Sequence, residues 1–208
     1  MDWIAHATEA LFSTYRGASK LPDDVLTVEG FSSPMVRRLL NNLCDFDGCR
    51  YLEVGTWQGA TALAASYLNR GSFKAVDDFS EFGGPREACR RNRDRWRAEC
   101  RFDLIDADVW TSDVADFGPI NVYFYDGGHS EEDQYKAFTR FDRVLTDPFI
   151  AVVDDWNWEQ VRAGTRSAFA ELRYDVQAMW NLFSPGNRTM DGWWNGIFLA
   201  VVSRGGRS

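Results

Sequence analysis

Long apolar runs are missing from this chain of 208 residues, and no stretch approaches the length that crosses a bilayer. Its first residues, with Asp2 and His6 among them, lack the apolar segment of a secretory leader, so the expected location is the cytoplasm with no membrane partner. Cysteine is scarce. Cys44, Cys49, Cys89 and Cys100 contain no Cys-x-x-Cys pair, which fits reduced thiols rather than a disulfide frame. Positive charge is in deficit: 23 Lys and Arg face 31 Asp and Glu, a net charge of −8 that argues against a nucleic-acid backbone as partner. The one basic cluster, Arg86 to Arg101, is interleaved with Glu87, Asp94 and Glu99 and reads as a solvated helix face. No internal repeat or low-complexity tract is present, and only Gly205 to Ser208 reads as a loose tail. Two nucleotide fingerprints are absent as well: there is no Gly-x-Gly-x-x-Gly, and no Lys-Ser/Thr pair follows a glycine loop.

What is present begins with Tyr51-Leu52-Glu53-Val54-Gly55-Thr56-Trp57-Gln58-Gly59, an apolar run that enters a glycine turn. Ala60 to Ala65 continues as a helix, so the stretch reads as strand, tight turn and helix, half of a nucleotide-binding unit. Gly55 suits a turn in which a side chain would clash, and Gly59 is expected to let a ligand approach the start of the helix. Upstream, residues 2–16 read as an amphipathic helix. A second helix starts at Pro34 behind a Ser33 cap.

Downstream, strands are expected near 50–54, 73–76, 101–105, 120–125 and 149–153, with helices at 59–69, 85–99, 131–144 and 158–172. Two further strands, near 174–180 and 196–203, have no helix between them and are expected to pair antiparallel at one edge. This alternation predicts one α/β domain over 1–208: a helical extension (1–45) ahead of a doubly wound, mostly parallel seven-stranded core (46–204).

Ligands of open α/β sheets bind beyond the carboxyl ends of the strands, where this chain repeatedly places Asp. Asp77 and Asp78 close the second strand. One of the two is expected to face a ribose, since side chains alternate. Asp106 and Asp108 follow the third. Tyr125-Asp126-Gly127-Gly128-His129 follows the fourth, and Val153-Asp154-Asp155-Trp156 the fifth. Three carboxylates gathered there repel one another unless protons or a cation compensate. Oxygen ligands suit a hard cation such as Mg²⁺. His6 lies on the first predicted helix and carries no assigned chemistry.

Glu-x-Gly-x-x-x-Gly at 53–59 resembles the class I S-adenosylmethionine-dependent methyltransferases, which share a Rossmann-like core. With Asp-Gly-x-His after the fourth strand and Asp-Asp-Trp after the fifth, residues 50–160 resemble the metal-dependent small-molecule O-methyltransferases of the antibiotic-sugar type. Catechol O-methyltransferases are more distant relatives of the same arrangement. The resemblance implies S-adenosylmethionine at Glu53, Gly55, Thr56, Gly59, Asp77, Asp78, Asp106, Asp108 and Asp126. Within these, it favours Asp77 for the ribose and Asp108 for the adenine amino group. Glu53 either contacts the methionine amino group or only holds the turn. The resemblance also implies a divalent metal at Asp126, Asp154 and Asp155, and His129 as the base that takes a hydroxyl proton. Homo-oligomers are common in such a family, though the sequence sets no count. Two rivals stay open: a metal-free methyltransferase acting on nitrogen or a carboxylate, and a cofactor-binding protein without chemistry. Trp193-Trp194 reads either as a substrate wall or as core. Residues 17–34 and 183–195 would select the acceptor but carry no motif.

Overall fold

Apolar runs bounded by turn residues become strands, and the sheet they build sets out everything that follows. The computed structural model describes residues 1–205. Three helices come first, α1 (Trp3–Tyr15), the short α2 (Asp23–Leu26) and α3 (Pro34–Leu43). The core follows as β1 (Cys49–Val54), α4 (Ala60–Ser66), β2 (Gly71–Asp77), α5 (Arg86–Arg95), β3 (Asp103–Asp106), β4 (Ile120–Tyr125), α6 (Glu131–Thr139), β5 (Leu145–Val153), α7 (Glu159–Glu171), β6 (Asp175–Leu182) and β7 (Ile197–Ser203). Of the expected loose tail, only Gly205 falls within the described residues. Among those residues, no helix is long and apolar enough to cross a membrane.

The sheet has seven strands in the order β3-β2-β1-β4-β5-β7-β6. β1 to β5 are parallel. β7 runs antiparallel to β5 and to the edge strand β6, the expected pairing at that side. Both faces of the central sheet are covered, so its inner strands alternate between two cores rather than between core and water. On β7, Ile197, Leu199 and Val201 face the core shared with α1, α3 and α4, while Phe198, Ala200 and Val202 face the one shared with α6 and α7.

Caps set several helix starts. Asp2 accepts from Ala5 N at α1, Ser33 from Val36 N at α3, and Ser130 from Asp133 N at α6. Three helices stop earlier than their sequence patterns suggest. Asn69 Nδ2 donates to Ala65 O at 2.9 Å, so the end of α4 is capped before 69. α5 buries only Cys89, so nothing holds a further turn beyond Arg95. Past Thr139 the chain leaves α6 and tightens into a 3₁₀ turn at Asp142–Val144.

The extension is bound into the core. Arg37, 2% exposed, donates to Leu26 O and Val28 O at 2.7 Å and to Ser32 Oγ at 3.0 Å. Burial lowers its guanidinium to about 10. These bonds fix the 26–32 segment over α4. There an added Cβ on Gly30 would come within 2.6 Å of Ala60 Cβ. The four cysteines are buried and unpaired.

Candidate functional site

Strand order reverses between β1 and β4, which opens a crevice at their carboxyl ends. Backbone bonds extend the sheet by one residue into the turns there. Gly55 N donates to Val76 O, Asp126 N to Val54 O and Asp154 N to Tyr125 O, at 2.9, 2.9 and 3.1 Å. The crevice holds a cavity of about 630 Å³ lined by Gly55, Thr56, Asp77, Asp78, Asp108, Asp126, His129, Asp154 and Asp155.

Gly55 sits at φ +85°, and a Cβ there would fall 2.1 Å from Asp126 O. The neighbouring backbone by itself requires the glycine. Three expected cofactor residues lie outside the cavity lining. Gly59 is the left-handed residue before α4, and its missing side chain makes room for Cys89 Sγ, 3.1 Å from an added Cβ. That close approach packs the start of α4 against α5. Asp106 is taken by Arg86 Nε at 2.6 Å and Arg90 at 3.3 Å, so only Asp108 of that pair lines the cavity. Glu53 is fully buried, accepting from Tyr51 OH at 2.6 Å and Thr61 Oγ1 at 2.8 Å. These contacts of Glu53 link β1 to α4 across the glycine turn. Burial pushes its carboxyl up to about 7 against the hydroxyls that donate to it.

Asp77 and Asp78 both line the cavity but differ in what they hold. Asp77 Oδ2 accepts from Thr56 N and Trp57 N at 2.9 and 2.8 Å, and its Oδ1 accepts from Phe79 N at 2.7 Å. Asp78 is exposed, and only its Oδ1 is engaged, by Ser80 N at 2.9 Å and Ser80 Oγ at 2.7 Å. Those bonds hold its carboxyl below the usual range.

The β4 and β5 ends bring Asp126, His129 and Asp155 together, with one ligand atom from each within 4.8 Å of the others. His129 Nε2 lies 2.5 Å from Asp155 Oδ2, and Asn195 Nδ2 donates to Asp155 Oδ1 at 2.5 Å. Asp154 is 3% exposed, and its Oδ1 has no hydrogen-bond partner. Burial raises Asp126 and Asp154 well above the ordinary carboxylate range, and the charges of neighbouring acids add to this. For His129, burial disfavours the charged ring, but the bond to Asp155 and the charges of Asp155, Glu81 and Asp133 outweigh it and raise its pKa. Its ring meets Trp158 edge-on, with centroids 5.0 Å apart.

Several lining residues escaped the sequence reading. Asn195 is separated from Asp155 by forty positions and has no local signature. Phe31 stacks on Trp57 at 4.2 Å, and Phe82 meets Phe31 edge-on at 5.5 Å, which gathers three segments at one side of the cavity. Trp194 lines the cavity, whereas Trp193 packs edge-on against Tyr15, so the pair divides between wall and core. Five non-glycine residues of the lining, Trp57, Phe82, Asp155, Arg188 and Trp194, hold φ between 46° and 57°. Such backbone strain gathers where side chains must be aimed.

The sequence matches no protein-family model and no curated protein. Solved structures do resemble the fold. An O-methyltransferase from Bacillus cereus in complex with S-adenosylhomocysteine aligns with a TM-score of 0.60 at 14% identity, over 96% of this chain and 91% of that one. The O-methyltransferase TomG of Streptomyces achromogenes, involved in tomaymycin synthesis and solved with S-adenosylmethionine, aligns with a TM-score of 0.59 at 16% identity, over 95% and 89%. A precorrin-6y C5,15-methyltransferase from Geobacter metallireducens aligns with a TM-score of 0.60 at 13% identity, over 89% and 97%. The chain has the fold of the class I S-adenosylmethionine-dependent methyltransferases.

Proposed function

We propose that this protein transfers a methyl group from S-adenosylmethionine to a hydroxyl of a small molecule, with a divalent cation at the β4 and β5 ends. The observation that carries the reading is the meeting of Asp126, His129 and Asp155 in the cavity that the glycine turn also lines. The donor set fits a hard cation: Asp154 Oδ1 is buried without a partner, and burial, with the charges of neighbouring acids, raises Asp126 and Asp154. Asp126 and Asp155 would hold the ion, with Asp154 beside them. When bound, such an ion neutralises the carboxylates and acidifies a nearby hydroxyl.

The chain's own residues account for the rest. Thr56, Asp78 and Asp108 border the part of the cavity beside the glycine turn, where the cofactor would lie. Asp77 keeps that turn in shape through its three backbone bonds. Asp78, with one oxygen unengaged, is better placed than Asp77 to take ribose hydroxyls. S-adenosylmethionine supplies an electrophilic methyl on a sulfonium. His129 would take the hydroxyl proton as the methyl is transferred, and the cofactor would be left as a neutral thioether. Trp158 and Asp155 hold the imidazole in place. Positioning of the two reactants provides most of the acceleration.

Calorimetry with S-adenosylmethionine, then S-adenosylhomocysteine release from a panel of hydroxylated compounds with and without Mg²⁺, tests the reading. Binding, Mg²⁺-dependent release and loss of release with chelator are expected. Turnover that survives exhaustive chelation promotes the metal-free methyltransferase, and binding without turnover promotes a cofactor-binding module. One observation favours a variant reading of His129: its ring nitrogen belongs to the converging donor set. His129→Ala is expected to lower turnover about a hundredfold and keep the Mg²⁺ response. Loss of that response as well makes His129 a ligand.

A further inference from the structure

We infer that Arg188 is a specificity residue of this cavity, and that the methyl acceptor carries a carboxylate as well as the hydroxyl. The inference rests on the proposed methyl transfer for what the hydroxyl does, and on separate observations for the carboxylate. Arg188 is the single Lys or Arg among the described residues that line the cavity. The rest of its charged lining is acidic apart from His129, and none of those acids takes the guanidinium. Four other arginines are engaged elsewhere. Arg86 and Arg90 hold Asp106, Arg162 holds Glu159 and Trp156 O, and Arg37 clamps the 26–32 segment. Arg188 is exposed and holds nothing with its side chain.

Its backbone, in contrast, is placed with care. Arg188 N donates to Asn195 Oδ1 at 2.7 Å, and the same Asn195 amide holds Asp155 Oδ1 at 2.5 Å. Next door, Asn187 Oδ1 accepts from Trp158 Nε1 at 3.4 Å, and Trp158 is the ring against His129. The loop is thus tied to both members of the His129–Asp155 pair. Asn157 adds a third tie, donating to Ser184 O at 3.1 Å and accepting from Ser184 N at 3.1 Å. Arg188 itself sits at φ +57°, a conformation that an arginine leaves unless its surroundings hold it. The backbone that carries this guanidinium is therefore tied to the residues around the proton-accepting imidazole, and the side chain itself has no partner among the described residues.

A guanidinium matches a carboxylate in two parallel hydrogen bonds, which fixes orientation as well as affinity. Apart from His129 and the proposed cation, Arg188 is the one group of this lining that attracts an anion. A substrate carrying both groups is thereby turned so that its hydroxyl faces His129. An acceptor without the acid would bind in no preferred sense.

A matched pair of probes tests this, 3,4-dihydroxybenzoate against catechol, titrated calorimetrically into the protein holding S-adenosylhomocysteine. The wild type should prefer the acid by about ten- to a hundredfold, the range of a charge-assisted pair. Arg188→Gln should abolish the preference, and Arg188→Lys should keep part of it. Thermal stability and S-adenosylhomocysteine affinity should not move. Equal binding of the two probes by the wild type, or a preference that survives Arg188→Gln, overturns the inference. A fall in S-adenosylhomocysteine affinity in Arg188→Gln also overturns it, since the arginine then serves the cofactor's own carboxylate. Methyl transfer to the probes is scored separately. Arg188-dependent preference without transfer supports the carboxylate site and excludes only these two compounds as acceptors, whereas transfer without preference overturns the inference and supports the enzyme reading.

Discussion

Asp77 and Asp154 each stand at or just past the carboxyl end of a parallel strand, yet their surroundings treat them in opposite ways. Asp77 accepts three backbone N–H groups, two from the glycine turn and one from Phe79. Its charge is consumed by the fold. Asp154 is buried with one oxygen unbonded, beside Asp126 and Asp155, and it is held above its ordinary range by burial and by Asp155's charge. Its charge is left for something else to answer. The same residue type at the same edge of the sheet is therefore a structural strut on the β2 side and an unmet demand on the β4–β5 side. What tells them apart is not the strand end but the supply of donors facing it.

The largest way to strain this contrast is at the seam between the two sides. Gly55→Ala places a Cβ 2.1 Å from Asp126 O in a backbone at φ +85°. It should cost about 3 kcal/mol or more, which for a domain of this size lowers the melting temperature by roughly 6–12 °C. A melting curve that matches wild type would show that the two turns can part without loss.

Next in size is a pair of neutralisations expected to differ in sign. Asp77→Ala strips the glycine turn of its acceptor and should destabilise the protein by about 2 kcal/mol even without cofactor. Asp154→Asn takes one acid out of a crowded buried group and should stabilise the metal-free protein by about 1 kcal/mol. The same change should blunt the rise in melting temperature that Mg²⁺ gives the wild type by mass action. Denaturant titrations with and without Mg²⁺ read both. If the two variants shift stability in the same direction, the contrast fails.

The smallest expected effect is the pH response of Glu53, the buried acid beneath the glycine turn. The folded chain keeps its proton up to about 7, whereas the unfolded chain releases it near the ordinary 4.5. Stability from this group is therefore complete below about 4.5, declines as pH rises to about 7, and is flat above. Glu53→Gln should lack that decline. Between pH 5.5 and 6.5 the difference in unfolding free energy between variant and wild type should change by at most about 1.4 kcal/mol, in favour of the variant at the higher pH. Parallel profiles would rule out the buried proton.

Much of this was legible in the chain. The strand-turn-helix at 51–65 and the Asp-terminated strands were readable because apolar period and turn chemistry are local signals. Asp126, His129 and Asp155 could be grouped since parallel strands deliver their ends to one edge. Other features were beyond local reading. Gly59 and Gly55 look alike in sequence, but one makes room for Cys89 and the other for the Asp126 carbonyl, neighbours that only the packed fold supplies. The resemblance favoured Asp108 over Asp106, but the α5 arginines that hold Asp106 were not readable from the local sequence. Asn195 and Arg188 carry no motif because their meaning lies in hydrogen bonds to a centre built elsewhere in the chain.

The left-handed backbone at Arg188 has a consequence for how such a protein can change. A glycine there would relieve about 1–2 kcal/mol of conformational strain and would leave no side-chain bond broken, since the guanidinium has none. Stability alone thus favours losing the arginine. Random variants screened for heat resistance would drift toward glycine or asparagine at 188, whereas variants screened for discrimination among acceptors would keep arginine. The position is one at which folding and recognition ask for different residues.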